Sequence, residues 1–454
     1  MPKEKIPYLL DEMLRIHNFN INCKVVGTPG SANDGQPYIL VIPGGPGYGL
    51  NMYKYFVYAQ IIKARTEGRP LPHFILYDPL GCGKSDKAKN PQVEYTVEHF
   101  TEMDASLVET IKERLNIKKL NLVVCGRSFG HMVAMNFPLC RPKWLDPSSD
   151  IYLQKILSIV GANGVGNKDY ARHYLRTHYA NSPTLPQMQT AEEKLFSGSI
   201  QDQTDFVTHF IAPMAFAYSP EAANSLIMRG LLAFISANPN LTIWALKSIN
   251  SLLKTFGVEN EELNTNITTI TECSLDVLNY FFKTDFNNFD TIDKVRKNIE
   301  LYRKIPICLI TSYKDHMIDP SVAEQINALL PDTSCTITFT TAHIITKKDI
   351  KKFYYDLTYN FLIEGKVNPN ILKDNAAIHD FKITSYFSET RNPFSALITS
   401  EVVENLQYQP LYHLKTNQEK NKYYKAPLIQ PSVEIPLSKN EILPDGDYVS
   451  ALKL

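Results

Sequence analysis

One stretch constrains the whole chain. From residue 120 to 136 it reads LNLVVCGRSFGHMVAMN. The apolar, β-branched half predicts a buried strand, and the pattern after Gly130 is helical. Between them lies G-x-S-x-G, the pattern of a serine held at a sharp strand-to-helix turn. Such a turn forces the serine into strained backbone geometry and leaves no room for side chains beside it. Gly126 and Gly130 supply that room. The helix that follows brings its positive N-terminal end and free N–H groups close to the serine oxygen. Ser128 is therefore the candidate nucleophile.

A second loop fits the same chemistry. The strand PYILVI, residues 37–42, runs into PGGPGYG, residues 43–49. Glycines after a buried strand let backbone N–H groups face a ligand. Acyl transfer needs two such donors for its tetrahedral oxyanion. In an elbow architecture one donor follows the nucleophile, here Phe129, and the other lies in the loop after an earlier strand. Gly45 is the first candidate for that second donor and Gly44 the next. A third turn, DPLGCGKSD at 78–86, follows the strand HFILY and reads as structural support. It lacks the glycine spacing of a phosphate loop.

Composition excludes several alternatives. Lys and Arg total 47, as do Asp and Glu, so nothing points to nucleic acid or an anionic membrane. Seven cysteines without a C-x-x-C pair speak against a disulfide framework or a zinc cluster. Cys125 and Cys308 sit in strand-like runs as small core residues. No apolar stretch approaches 18 uncharged residues, and the first residues are charged with no apolar run behind them, so no membrane span or export signal is expected. A cytoplasmic protein with neither cofactor nor metal is the expectation.

The three motifs together, P-G-G-P-G-x-G, D-P-L-G-x-G-x-S and G-R-S-F-G, resemble the α/β-hydrolase fold. They are most similar to its proline iminopeptidase (prolyl aminopeptidase) branch, which typically shows H-G-G-P-G, D-Q-R-G-x-G-x-S and G-G-S-W-G. The resemblance covers about residues 37–162 and 300–362. There are departures: Pro43 stands where the family has histidine, Pro79 and Leu80 replace Gln and Arg, and Arg127 and Phe129 replace Gly and Trp. The resemblance implies an α/β class with a mostly parallel sheet flanked by helices. It also implies a serine peptidase that releases an N-terminal residue, classically proline, from small peptides.

The rest of the chain divides accordingly. Residues 1–162 form the first part of the hydrolase core, opening with an amphipathic lead-in over 1–18. Residues 163–304 lose the strand rhythm and read as an inserted helical cap, with helices over 220–236 and 241–256. Residues 305–365 complete the core with strands near 305–311 and 334–341, the latter the last of the fold, and a closing helix over 347–362. Residues 366–454 are a C-terminal extension, read as a packing or oligomerisation arm, with short apolar runs at 396–398 and 424–429.

The remaining catalytic groups follow in the order acid, then histidine. Asp315 falls just after the strand ending near Thr311, with Asp319 as its competitor. His316 is passed over because the base should follow the last strand, where His343 fits. A Ser128–His343–Asp315 triad could act on a small peptide or an ester. A prolyl substrate carries a charged imino nitrogen and calls for cap carboxylates. Glu192, Glu193, Glu221, Glu259, Glu261, Glu262 and Glu272 are the available ones, and none matches a family motif. The apolar cap residues Met214, Phe216, Leu231 and Phe234 suit an acyl ester equally. A carboxylesterase, or a non-catalytic binding protein on the same fold, are the alternatives. A homo-oligomer through the cap or the extension stays open.

Overall fold

The computed structural model describes residues 7–178, 185–206, 238, 240, 273–312, 315, 317–339, 348–364, 381–385 and 433–434. Its centre is a ten-stranded sheet of order β1-β2-β4-β3-β5-β6-β7-β8-β9-β10. The strands are β1 Tyr8–Ile16, β2 Phe19–Val26, β3 Tyr38–Ile42, β4 His73–Tyr77, β5 Leu120–Arg127, β6 Ile151–Ile159, β7 Ile307–Ser312, β8 Ser334–Phe339, β9 Phe381–Ser385 and β10 Val433–Glu434. Strands β3 to β8 run parallel to their neighbours. The two strands at each edge are antiparallel. This order, with a parallel core entered by an antiparallel hairpin, is that of an α/β-hydrolase fold.

Every residue of β3, β4, β7 and β8 is buried. Strands covered on both faces read as near-continuous apolar runs, as β3 does, whereas β8 buries Ser334, Thr336 and Thr338 between its apolar residues. One face carries α1 (Lys54–Thr66) and the closing helix, through Phe56, Val57, Ile61, Tyr354, Leu357 and Phe361. The other carries α3 (Val97–Arg114) and α4 (Phe129–Cys140), with α2 (Pro91–Glu94) preceding them. Thr96 caps α3 by accepting the His99 N–H.

Between β6 and β7 the described elements are all helical. They are α5 Asn167–His178, α6 Leu185–Phe196, α7 Gln203–Phe206, α8 Leu275–Lys283, α9 Asp285–Asn288, α10 Thr291–Lys297 and α11 Ile299–Tyr302. The expected helices at 220–236 and 241–256 lie outside the described residues. Helix α12 (Ser321–Leu329) links β7 to β8, and α13 (Lys348–Glu364) is the closing helix. The Lys155 ammonium of β6 donates to the Phe361 and Ile363 carbonyls at 3.2 and 3.4 Å, at the end of α13.

Two expectations change. Within the expected lead-in, residues 8–16 are an edge strand that pairs antiparallel with β2 and buries Leu10, Leu14 and Ile16. Nor is β8 the last strand, because β9 pairs with it antiparallel and β10 with β9. Part of the segment after 366 thus extends the sheet. The runs at 396–398 and 424–429 lie outside the described residues.

Sheet order fixes where a site can form. From β3 the chain crosses to β4 on one side, then returns to β5 on the other. The chain thus turns to opposite sides after β3 and β5, and the loops at their carboxyl ends are where a site forms in such sheets. Those two loops are the glycine-proline loop and the serine turn.

Candidate active site

Ser128 sits between β5 and α4 at φ 51°, ψ −117°. A non-glycine residue pays for this conformation, and it persists only where its surroundings enforce it. The Ser128 N–H donates to the Ile159 carbonyl at 2.9 Å, and its carbonyl accepts the His131 N–H at 3.0 Å. Val160, at the adjoining end of β6, is also left-handed with φ 47°. Two strained residues thus lie side by side at the strand ends.

The flanking glycines are required by contact. A Cβ on Gly126 would lie 2.1 Å from the Gly130 carbonyl oxygen. The loop after β3 meets this turn. Ile42 and Gly126 are register partners, and a Cβ on Gly44 would lie 3.5 Å from the Cβ of Ser128. Gly44 is therefore beside the serine. Gly45 has φ +116°, and a Cβ there would meet the Tyr48 ring at 2.9 Å. Phe129 begins α4, where backbone N–H groups have no partner within the helix.

Asp78 staples the loop from below. Its carboxylate accepts the Leu50 N–H at 2.8 Å, the Lys84 N–H at 3.0 Å and the Asn22 amide at 2.7 Å. Ser85 returns a hydrogen bond to the Asp78 carbonyl at 2.6 Å. The turn at 78–86 is the structural support its short polar residues suggest.

Asp315 follows β7, on the same carboxyl-end edge as Ser128. Strands β5, β6 and β7 are consecutive neighbours, so the two strand ends are about 10 Å apart. Asp315 is fully buried. Its Oδ1 accepts the Met317 and Ile318 N–H groups, both at 2.9 Å, and its carbonyl accepts the Tyr170 hydroxyl at 2.6 Å. Asp319 is engaged elsewhere, accepting the Ser321 N–H at 2.9 Å at the start of α12. Burial, with the Asp315 charge adding to it, pushes the Asp319 carboxyl up to about 6. His316 and His343 lie outside the described residues.

His131 is one turn into α4, but its ring is buried. Its Nδ1 is 2.6 Å from the Ser158 hydroxyl, and burial pushes its pKa down to about 3. Of the insert carboxylates, Glu192 is paired with Arg172 at 2.5 Å and Glu193 is exposed. Glu221, Glu259, Glu261, Glu262 and Glu272, with Met214, Phe216, Leu231 and Phe234, lie outside the described residues. Among the described residues no cluster of three or more His, Cys, Asp or Glu could hold a metal ion. Cys125 and Cys308 are buried, and none of the seven cysteines is in a disulfide. Among the described residues no helix is long and apolar enough to cross a membrane.

Sequence reasoning missed the aromatic seat of Phe129. Its ring lies edge-on to Phe281 of α8, with centroids 4.8 Å apart, and to Phe100 of α3 at 5.5 Å. It also missed the bond from the Ser274 N–H to the Gly47 carbonyl, 2.8 Å long. Only the aromatic-rich run FF at 281–282 hinted at either.

No family model matches the chain. It is 32% identical over 110 residues to a proline iminopeptidase from Heyndrickxia coagulans, covering 24% of this chain and 33% of that protein. It is 31% identical over 100 residues to a proline iminopeptidase from Lactobacillus helveticus, covering 22% and 30%. The chain thus spans about a third of the length of the curated relatives it matches. Among solved structures, an esterase from Exiguobacterium antarcticum aligns over 78% of this chain and 99% of its own, at 13% identity and a TM-score of 0.43. The strand order and the strained serine turn are those of an α/β-hydrolase fold, and over part of its length the chain is similar to proline iminopeptidases.

Proposed function

We propose that this chain is a serine hydrolase of the aminopeptidase type, releasing an N-terminal residue from small peptides. The observation that carries the reading is the left-handed Ser128 with Gly44 against it. Backbone strain of this kind clusters at active sites, and we read it here as a demand on the hydroxyl. Ser128 is half-exposed, as a nucleophile must be.

His343, four residues past the end of β8, takes the Ser128 proton as general base. Asp315, with Oδ1 fixed by two N–H groups, orients the imidazole and stabilises its charged form. A gap of about 10 Å between the ends of β5 and β7 is what an imidazole and two hydrogen bonds would fill. Ser128 Oγ bonds to the substrate carbonyl carbon, and the oxyanion is held by N–H groups of Phe129 and Gly45, with Gly44 next to them. His343 protonates the leaving amine, and water then releases the acyl group by the same steps. The helical insert 163–304 is the cap over this site. The cytoplasm, where seven unpaired thiols persist, is the compartment we assign.

An esterase is the second reading, and one observation favours it. Glu192 is committed to Arg172 and Glu193 faces solvent, so neither is a ready partner for a charged imino nitrogen. Proline 4-nitroanilide and 4-nitrophenyl esters of increasing chain length, run side by side with a Ser128→Ala control, separate the two. Turnover of the anilide lost in Ser128→Ala supports the aminopeptidase. Brisk ester turnover with an untouched anilide replaces it with the esterase.

A further inference from the structure

Helix α8 lies where the insert returns to the core, and one stripe of it touches the loop after β3, the turn after β4 and the start of α4. Ser274, the residue that starts it, donates its N–H to the Gly47 carbonyl at 2.8 Å. The approach is so close that a Cβ on Gly47 would sit 2.7 Å from the Ser274 carbonyl oxygen. Val277 is next: a Cβ on Gly81 would lie 2.6 Å from its Cγ2. Phe281 completes the stripe, edge-on to Phe129 with centroids 4.8 Å apart and planes at 77°. Positions 274, 277 and 281 are three and seven residues along from the first, so they share one face of a helix.

The contacts at the two ends of this stripe are not equivalent to ordinary packing. Gly47 belongs to the loop of Gly44 and Gly45, and Phe129 supplies the other N–H. Phe281 is itself held by Phe282 at 5.3 Å and Phe286 at 5.6 Å. Phe286 in turn stacks on Phe196 of α6, centroids 5.2 Å apart. All of these rings are buried. A rigid aromatic column thus runs from the insert to the residue after the nucleophile.

We propose that α8 is a clamp that sets the spacing between the two halves of the oxyanion hole, with Ser274 and Phe281 as its positioning residues. This rests on the hydrolase reading above. The insert then shapes catalysis as well as access: what moves α8 moves one donor relative to the other. Because the oxyanion forms only in the transition state, loosening the clamp lowers kcat and leaves KM nearly unchanged.

The test uses the full chain with 4-nitrophenyl acetate and its thiono counterpart, in which sulfur replaces the carbonyl oxygen. Sulfur accepts hydrogen bonds poorly, so the oxo/thiono rate ratio reports on the hole and not on general folding. Phe281→Ala opens the column. Ser274→Pro suits the φ of −78° but puts a ring carbon where the N–H met the Gly47 carbonyl, so it breaks the bond and pushes the loop off α8. Phe281→Met keeps most of the volume, and Ile111→Ala, in the core of α3, controls for lost stability. The proposal expects kcat for the oxo ester to fall about tenfold or more in Phe281→Ala and Ser274→Pro. KM should stay within about twofold and the oxo/thiono ratio should shrink, with Phe281→Met, which fills the volume without the ring contacts, between Phe281→Ala and the parent and Ile111→Ala close to the parent. If Phe281→Ala fails to fold, Ser274→Pro carries the test. Folded Ser274→Pro with the parent's kcat and ratio overturns the clamp while the hydrolase stands. A parent that neither turns over the ester nor reacts with a fluorophosphonate removes the hydrolase reading and the clamp with it.

Discussion

Gly130 of α4 rests against the backbone of Ile42. A Cβ at Gly130 would come within 2.6 Å of the Ile42 carbonyl oxygen and 2.8 Å of that of Pro43. The serine turn and the loop that faces it are therefore spaced by a missing side chain. Both partners are backbone, so neither can step aside cheaply. Gly130→Ala should cost about 1–3 kcal/mol in urea unfolding and lower turnover further than that loss explains.

Ser128 should reveal its strain directly. Ser128→Gly can adopt φ 51° freely, whereas Ser128→Ala keeps the penalty. The glycine variant should be more stable than the alanine variant by about 1 kcal/mol, and both should be inactive. Denaturation midpoints of the two, compared at equal m-values, check this.

Asp78 presents the opposite case, a buried acceptor with several donors. Asp78→Ala would strand the Leu50 and Lys84 N–H groups and the Asn22 amide. The expected loss is about 3 kcal/mol or more. Protease cleavage within 43–50 should appear in the variant under conditions where the parent resists.

Asp104 ties stability to pH. It is buried on α3, accepts the Tyr77 hydroxyl at 2.5 Å, and burial pushes its carboxyl up to about 8. The folded state therefore keeps a proton that the unfolded state has already lost above about pH 4. Stability falls as pH rises from about 4 to 8, by up to about 1.4 kcal/mol per unit for one proton. Asp104→Asn keeps an acceptor for Tyr77 and removes the titration. It should flatten that slope and match or exceed the parent's stability at pH 7, measured by urea titrations across the range.

Much of the core was legible because its signals are local. The apolar runs of β3, β5 and β7 and the glycines beside Ser128 depend on neighbours a few residues away. What stayed hidden is set by distant partners. Residues 8–16 alternate imperfectly, and only pairing with β2 makes them a strand. Phe381–Ser385 carries no mark that it joins β8. Glu192 is indistinguishable in sequence from a substrate-binding carboxylate until Arg172 is seen beside it. The seat of Phe129 depends on Phe281, which follows it by more than a hundred residues, across an insert with no strand rhythm to locate it.

The nucleophilicity of one hydroxyl is the claim that everything functional here depends on. Treat the protein with a fluorophosphonate, digest it, and map the adduct by mass spectrometry, in parallel with Ser128→Ala and His343→Ala. The prediction is one stoichiometric adduct on Ser128, absent from Ser128→Ala and formed at least a hundredfold more slowly in His343→Ala, on the order of what loss of a general base costs. An adduct on another residue, or labelling of Ser128 at the parent rate without His343, would contradict it.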